Sequence, residues 1–566
     1  MTSPARLRPA HLLALLAAMA LTAGIYAWSI FSNFCVDQDT LNYVVSLEPL
    51  RDRMTFMSCI GIKGWFAKFH LLMFSMVYLV TRACALWGPW DFLLGFKAFT
   101  LLCAVATVPL LFFICRGAMR SVPVMLATSL IPLFTLGYSW LITTADDNPL
   151  ANFFNLAFVA CVLVASGAVR EARRERRPLL WAFISGAAAG LSMAAHLKNI
   201  VALPLLIAPA FFSPPSRAGR ARIAATALLG FLTVFGLLYG LYWTQSAAEP
   251  VSSKVDFWVF HRVPGRFFLT PPHPPLRDHL AFVWAGIRSS LYAFQELYIH
   301  TNLYDRDILG PVLIALFFCL YAAAAFHGRR SRAVRILFAW FLLDAGHSFL
   351  YDSWVVERWD SFTLPVFLTL GICWDSLLGR EGPRALTRFG RIRLSGLLLL
   401  FFGTLVWTNI HSTGLLLGIT GDRIPCRVEE KKWWAQKMKF YFYFDHRGLY
   451  RLARAADGLA DERTWFLSPR LMRPPDSTPQ FVLDQYLTLY SRCYRERRLD
   501  DPNAVAALVA GGKLTRLLYV DRIRVPLYVP DGRAALTFDS SMTKTVYENP
   551  QVVLKQATFS APAPSR

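Results

Sequence analysis

Acidic residues with the chemistry of a general base or a metal ligand occur in two short runs. Asp37 and Asp39 follow the first apolar stretch of the chain, and Asp146 and Asp147 precede an Asn-Pro pair. A carboxylate can take a proton from an attacking hydroxyl or bind a divalent ion. The alternatives are a solvated loop or a helix cap for the first run, and a cap on the helix that Asn-Pro begins for one Asp of the second run.

Basic residues at two other turns could bind an anion such as phosphate. Lys198 follows His196 by two positions between apolar segments, and Arg358 follows Glu357 in a charged turn. Arg holds phosphate through two parallel hydrogen bonds, whereas Lys acts as a point charge. The alternatives are that Lys198 extends its ammonium to the membrane surface and that Arg358 pairs with Glu357.

The composition indicates that these residues lie in a membrane protein. The 566 residues are 55% hydrophobic and 17% charged, with a net charge of +22, and a mean hydropathy of +0.39 excludes an ordinary soluble enzyme. The basic runs lie in short gaps between long apolar stretches. This is the charge bias of cytoplasmic loops, so we expect membrane lipids as partners and no nucleic acid.

The apolar stretches predict about eleven membrane-spanning helices, with the N-terminus inside and the C-terminal tail outside. The first, at 11–30, is too long for the apolar core of a cleaved signal peptide, so we predict an uncleaved helix. The other predicted spans are 93–115, 121–141, 149–169, 179–196, 199–212, 223–243, 309–327, 334–350, 361–379 and 394–417.

The apolar segment 67–88 is excluded from this count. A crossing there would place Arg116 and Arg120 outside, against the charge bias. We predict an amphipathic helix along the outer surface, with Lys68 outside and Arg120 and Arg176 inside.

The turn at Lys198 is predicted to lie in a recess below the outer surface. The predicted spans on its two sides, 179–196 and 199–212, reach only about 27 and 21 Å as α-helices. A lysine in such a recess suits an anionic lipid phosphate.

The predicted domains are a transmembrane domain at 1–420 and a small extracytoplasmic α/β domain at 421–566. The first contains outer loops at 32–92 and 244–308. The second has strand-like runs at 464–467 and 517–520 and helical stretches at 481–492 and 503–510.

Cysteines fit an oxidising outer compartment. Cys35, Cys59, Cys426 and Cys493 all fall in predicted outer segments. An even count permits two disulfides but does not fix the pairing, and we expect Cys35 with Cys59 and Cys426 with Cys493.

All four groups of candidate residues fall on the outer side of the membrane in this topology. That arrangement suits a reaction between an anionic lipid-linked donor and an extracytoplasmic acceptor. A secondary transporter would place ionisable groups at the midplane between two related halves, and the sequence shows no such halves.

The motifs resemble those of the GT-C-type glycosyltransferases that use polyprenyl-phosphate sugars, which include protein O-mannosyltransferases and lipid A aminoarabinose transferases. The resemblance covers roughly 11–420. Its motifs are Asp39 with Tyr43, the run from Asp147 to Phe154, Gly190-Leu191 before Lys198 with Leu203-Pro204 after it, and Glu357-Arg358-Trp359 before Leu364-Pro365.

The chain departs from the family's motifs at three places. Lys68-Phe69-His70-Leu71-Leu72 replaces a Pro-Pro-Leu segment, and Thr40 replaces a Glu. Trp433-Trp434 is followed by Ala435, so the signature of oligosaccharyltransferases is missing.

The resemblance implies an inverting glycosyltransferase that moves a sugar from a polyprenyl-phosphate donor to a lipid, glycan or protein acceptor. It places the enzyme in a membrane, which we take to be a bacterial inner membrane, with its active site towards the periplasm. The alternative is a lipid-carrier transporter or flippase without catalysis. The expected site residues are Asp39, Asp37 and Asp147 for catalysis, Lys198, Arg358 and His196 for the donor phosphate, and Asp39 and Asp147 for a divalent metal ion.

Overall fold

The structure is a computed structural model of the chain. It describes residues 9–32, 38–47, 54–60, 70–88, 91–143, 145–169, 177–212, 216–246, 275–280, 283, 309–350, 361–378, 389–390, 392–393, 396, 446–472, 478–523, 532–533, 536, 538–549 and 552–559.

The described elements belong to two compact units. The first combines residues 1–31 with 53–414, and the second combines 32–52 with 415–566. Part of the segment that the sequence assigns to the first outer loop therefore groups with the C-terminal part of the chain.

The first unit is helical. Its described α-helices are α1 (Pro9–Ser32), α3 (Phe56–Ile60), α4 (Met73–Cys84), α5 (Phe92–Ala118), α6 (Val122–Leu130), α7 (Leu136–Thr143), α8 (Asn148–Ala165), α9 (Pro178–Ala195), α10 (Ala208–Phe212), α11 (Arg217–Gln245), α12 (Leu309–His327), α13 (Arg332–Leu350) and α14 (Thr363–Leu378), and α2 (Gln38–Leu47) belongs to the second unit. Short 3₁₀ helices at Ile131–Phe134 and Leu197–Ile207 interrupt this series.

Six helices in the described part of the chain are long and apolar enough to cross a membrane. They are His11–Phe31, Phe92–Ala118, Asn148–Ala165, Pro178–Ala195, Arg217–Gln245 and Arg332–Leu350. Other predicted spans fall on shorter or interrupted helices, and 394–417 lies almost wholly outside the described residues. The protein is therefore an integral membrane protein, while the number of eleven spans stays a prediction.

Helix α4 covers part of the segment that was excluded as a span. Its 12 residues reach about 18 Å, well short of a hydrocarbon layer about 30 Å thick. This length agrees with the exclusion of 67–88 from the predicted membrane-spanning helices. The location of α4 along the outer surface stays a prediction.

Glycines bring α9 and α11 into close contact. A Cβ at Gly186 would overlap the carbonyl oxygen of Ala227, and one at Gly230 would overlap that of Phe183. Small residues allow two membrane helices to approach to backbone contact. This contact fixes the position of α9, which ends next to the candidate lysine.

The segment after α9 corrects the argument for a recess. Leu197–Ile207 is a 3₁₀ helix and not an α-helix, so it rises about 2.0 Å per residue. The predicted arm 199–212, with nine residues in this helix and five in α10, therefore reaches about 26 Å rather than 21 Å. The predicted length of 21 Å is too short, and the position of Lys198 in a recess stays a prediction.

The second unit contains a mixed six-stranded sheet in the order β2-β1-β3-β6-β5, with β4 paired to β3. Strand β1 is parallel to β2 and β3, and β6 is antiparallel to β3 and β5. The strands are β1 (Thr464–Leu467), β2 (Arg498–Leu499), β3 (Arg516–Ile523), β4 (Gly532–Arg533), β5 (Thr543–Glu548) and β6 (Val552–Thr558), and the helices beside α2 are α15 (His446–Leu459), α16 (Thr478–Tyr490), α17 (Arg492–Glu496) and α18 (Ala504–Ala510). The predicted strands and helices of the tail are all present.

Helix α2 packs against α16. Its buried positions Thr40, Tyr43, Val44 and Leu47 follow the three- and four-residue spacing of one helix face. This apolar face explains why α2 groups with the second unit.

Neither expected disulfide is seen among the described residues. Cys59 and Cys493 are free, buried thiols, while Cys35 and Cys426 lie outside the described residues. The thiol of Cys493 donates to the carbonyl oxygen of Thr464 at 3.6 Å. Burial raises the pKa of Cys493 to about 11, so this thiol behaves as a small apolar side chain.

Candidate active site

The two neighbouring Asp residues before α8 have different roles. The Oδ1 atom of Asp146 accepts hydrogen bonds from the backbone N–H of Asn148 at 2.7 Å and from its side-chain amide at 2.6 Å. Asp146 thus satisfies an N–H group at the start of the helix, as a capping residue does. The backbone turns sharply just before it, because Ala145 has a φ of 58°. Asp147 makes no capping bond, and its contacts are with other side chains.

Two histidines flank the carboxylate of Asp147. The Nε2 atom of His70 lies 3.2 Å from Oδ2, and the Nε2 atom of His196 lies 4.0 Å from Oδ1. His70 precedes α4 and His196 follows α9, so three segments distant in sequence meet at one carboxylate. The side chains of His70, Asp147 and His196 are 5%, 10% and 13% exposed.

Lys198 joins this group through Asn148. Its ammonium donates to the side-chain carbonyl of Asn148, whose amide nitrogen donates to Oδ1 of Asp147 at 3.2 Å. The backbone N–H of Lys198 donates to Nδ1 of His196 at 3.0 Å. We call His70, Asp147, Asn148, His196 and Lys198 the polar cluster.

The polar cluster brings three of its candidate ligand atoms close enough for a metal ion. Those of His70, Asp147 and His196 lie within 4.8 Å of one another. However, Nδ1 of His196 accepts the N–H of Lys198, so the neutral ring carries its proton on Nε2 and offers no lone pair there. At most two ligand atoms of these described residues remain, whereas zinc sites in proteins use three or four. In this arrangement the donor set does not fit a metal ion.

The other predicted site residues lie elsewhere or outside the described residues. Asp39 is in the first turn of α2, in the second unit. Asp37 and Arg358 lie outside the described residues. The structure therefore brings together Asp147, His196 and Lys198, and a helix does follow the first acidic run, so a helix-terminal role for Asp39 stays open.

Sequence reasoning missed His70 and Asn148 as members of the cluster. His70 was assigned to a surface helix and Asn148 to a helix start. A signal was present for Asn148, because it adjoins two Asp residues at a helix N-terminus. His70 carried no comparable signal, since only the folded chain places it against α8 and α9.

The comparison with known proteins finds a likeness to solved structures. The structure superposes on ArnT from Cupriavidus metallidurans, solved with bound undecaprenyl phosphate, with a TM-score of 0.54, 14% identity, and coverage of 97% of this chain and 99% of that chain.

Two other solved structures superpose less closely. For the oligosaccharyltransferase AglB from Archaeoglobus fulgidus the TM-score is 0.48 with 9% identity, covering 90% of this chain and 69% of that chain. For the arabinofuranosyltransferase AftD from Mycobacteria it is 0.44 with 11% identity, covering 96% and 40%. No protein-family model matches the sequence, and no curated protein matches it. The likeness to ArnT confirms the resemblance that the motifs predict, and the chain has the fold of the GT-C-type glycosyltransferases.

Proposed function

We propose that this protein is an inverting glycosyltransferase that moves one sugar from a polyprenyl phosphate to an extracytoplasmic acceptor. The observation that carries the proposal is the polar cluster, in which Lys198 and Asp147 meet at the ends of two candidate membrane-spanning helices. The fold likeness to ArnT, solved with undecaprenyl phosphate, supports a lipid phosphate as the group that Lys198 binds.

The reaction begins when an acceptor oxygen attacks the anomeric carbon of the donor sugar. Asp39 is assigned as the base that takes the acceptor proton, with Asp37 as its neighbour in the same run. The new glycosidic C–O bond forms on the face opposite to the breaking C–O bond. The electron pair of the breaking bond goes to the lipid phosphate, which gains negative charge.

Lys198 stabilises that charge. In the structure its ammonium is held by the neutral carbonyl of Asn148, and a phosphate oxygen is a stronger acceptor because it is ionised. The half-buried position of Lys198 strengthens this interaction relative to bulk water. Arg358 and His196 are assigned to the same phosphate, with His196 also holding the backbone of Lys198.

Asp147 is assigned to positioning the acceptor. Donors of the chain hold both its oxygens, Oδ2 by His70 and Oδ1 by Asn148, so its orientation is fixed before a substrate arrives. No step is assigned to a metal ion, because the cluster offers at most two ligand atoms.

Release of the lipid product tests the proposal and separates an enzyme from a transporter. The full chain is reconstituted in liposomes with undecaprenyl-phosphate sugars that carry separate labels on lipid and sugar, and a membrane extract supplies acceptors. We expect free undecaprenyl phosphate and labelled sugar on an acceptor, with the rate lowered in Lys198→Ala and unchanged in Lys513→Ala, whose side chain is exposed in the second unit. Transfer of intact donor across the bilayer without cleavage would contradict the proposal.

A further inference from the structure

His70 lies at the point where three segments of the first unit meet. Its side chain is buried, and its two ring nitrogens point at different acceptors. Nδ1 lies 3.4 Å from the carbonyl oxygen of Ala195, the last residue of α9, and Nε2 lies 3.2 Å from Oδ2 of Asp147.

Both of these acceptors lack protons. A backbone carbonyl only accepts hydrogen bonds, and so does an ionised carboxylate. With its hydrogen on Nε2 the ring donates to Oδ2 of Asp147, so the geometry fits His70 as the donor on that side. The same side chain lies against the end of α9.

The surroundings hold the ring in this orientation. The backbone N–H of Leu72 donates to the carbonyl oxygen of Ala194 at 3.0 Å, which fixes the chain two residues after His70 against α9. The ring also packs edge-on against His196, with ring centroids 4.5 Å apart. A fixed donor of this kind restricts the rotation of the carboxylate that it contacts.

We propose that His70 is a positioning residue that sets the orientation of the Asp147 carboxylate for the acceptor. The inference rests on the proposed function. It adds a residue from the segment where this chain departs from the Pro-Pro-Leu motif of the family it resembles. His70 acts through Asp147, whereas binding of the lipid phosphate depends on Lys198 on the other side of the carboxylate.

The test separates turnover from donor binding. In His70→Ala the carboxylate loses its Oδ2 donor, and we expect kcat to fall about 10²-fold, the cost of a misplacement near 1 Å. Affinity for undecaprenyl phosphate should stay within about twofold, because Lys198 is retained. His70→Gln keeps an N–H that can reach the carboxylate and should recover part of kcat, and His327→Ala, at the exposed end of α12, should match the parent.

A double-mutant cycle distinguishes positioning from general support of the fold. If His70 acts through Asp147, adding His70→Ala to Asp147→Asn changes kcat by less than about twofold. Additive losses, or a loss of kcat that His70→Gln does not recover, would overturn the positioning role.

Failure of this inference can be told apart from failure of the proposed function. A His70→Ala protein with the parental kcat overturns the role of His70 and leaves the proposed function intact. A parent chain that releases no undecaprenyl phosphate overturns both.

Discussion

Each of the two units has a carboxylate that is at most 10% exposed and accepts from donors of distant segments. In the first unit Asp147 contacts two histidines and an amide. In the second unit Asp484, which is 2% exposed, accepts from Nε and Nη2 of Arg470 at 2.8 and 2.7 Å on one oxygen. Its other oxygen accepts from the hydroxyl of Tyr494 and lies 3.8 Å from Nη1 of Arg498.

The two carboxylates differ in the groups that donate hydrogen bonds to them. Arginine is charged at every working pH and holds a carboxylate in a rigid fork. Burial, and then the charge of Asp484, raise the pKa of Tyr494, so its hydroxyl keeps the proton that it donates. Asp484 is therefore a structural link between α16, α17 and the turn after β1. The donors of Asp147 are imidazole and amide groups beside a lysine, which is the composition of a site that binds and reacts.

The comparison predicts that replacing a carboxylate that takes part in the reaction lowers turnover and leaves the stability of the fold unchanged. We expect the largest effect at Asp39. Asp39→Asn keeps the size of the side chain but removes proton acceptance, so kcat should fall by roughly 10² to 10⁴ with donor affinity little changed. Steady-state kinetics with a labelled donor measures the loss. Asp37→Asn is the matched control and should lose less, and an Asp39→Asn enzyme with parental turnover would contradict the assignment of the base.

Lys198→Ala tests the proposed role of Lys198 in binding the phosphate of the sugar donor. Loss of a charge-assisted bond to phosphate, worth roughly 1.5 to 3 kcal/mol, should weaken undecaprenyl phosphate binding about 10- to 100-fold. Quenching of tryptophan fluorescence on titration with undecaprenyl phosphate measures it, with Lys513→Ala as the control. Unaltered affinity would show that Lys198 only extends to the membrane surface.

Sequence reasoning reached the fold because hydrophobic length and charge bias are properties of each segment by itself. It also predicted Asp147, His196 and Lys198 as site residues, which the structure brings together, since each stands at the end of an apolar segment. It did not find His70, because contact with Asp147 depends on how α4, α8 and α9 pack. The recess argument underestimated the length of the second arm for a local reason, because the segment after His196 forms a 3₁₀ helix, which is longer for the same number of residues.

Asp484→Asn tests the structural half of the comparison. Removing the charge leaves Arg470 without its ionic partner, and the second unit should lose about 3 kcal/mol of stability. This value lies at the low end of the range for breaking a buried ion pair, because Arg470 is half exposed. Pulse proteolysis in urea measures the loss. Asp521→Asn, which removes a half-exposed pair with Lys555 at 3.0 Å, should cost about 1 kcal/mol or less, and equal losses in the two variants would contradict the contrast.

The reactivity of the Cys493 thiol tests the packing next to Tyr494, which donates to Asp484. Because burial raises its pKa to about 11, the thiol should react with iodoacetamide at pH 8 at least about tenfold more slowly than after unfolding in urea. Mass spectrometry of the Cys493 peptide over time measures the rate. Rapid modification in the folded protein, or recovery of the peptide as a disulfide, would contradict the buried thiol.

Metal removal should have the smallest effect. Since the polar cluster offers at most two ligand atoms, dialysis against EDTA should leave the rate of undecaprenyl phosphate release within about twofold of the untreated value. A loss of activity that zinc or magnesium restores would show that His196 turns its ring and completes a metal site.

The most direct test of the central claim is a single-turnover measurement with a doubly labelled undecaprenyl-phosphate sugar and three proteins. The account predicts that the parent and Asp484→Asn release undecaprenyl phosphate at similar rates at a temperature where both stay folded. Asp147→Asn should be slower by about 10²-fold with donor still bound. Equal rates for Asp147→Asn and the parent, or donor that crosses the bilayer uncleaved, would contradict the claim that the polar cluster is the active site.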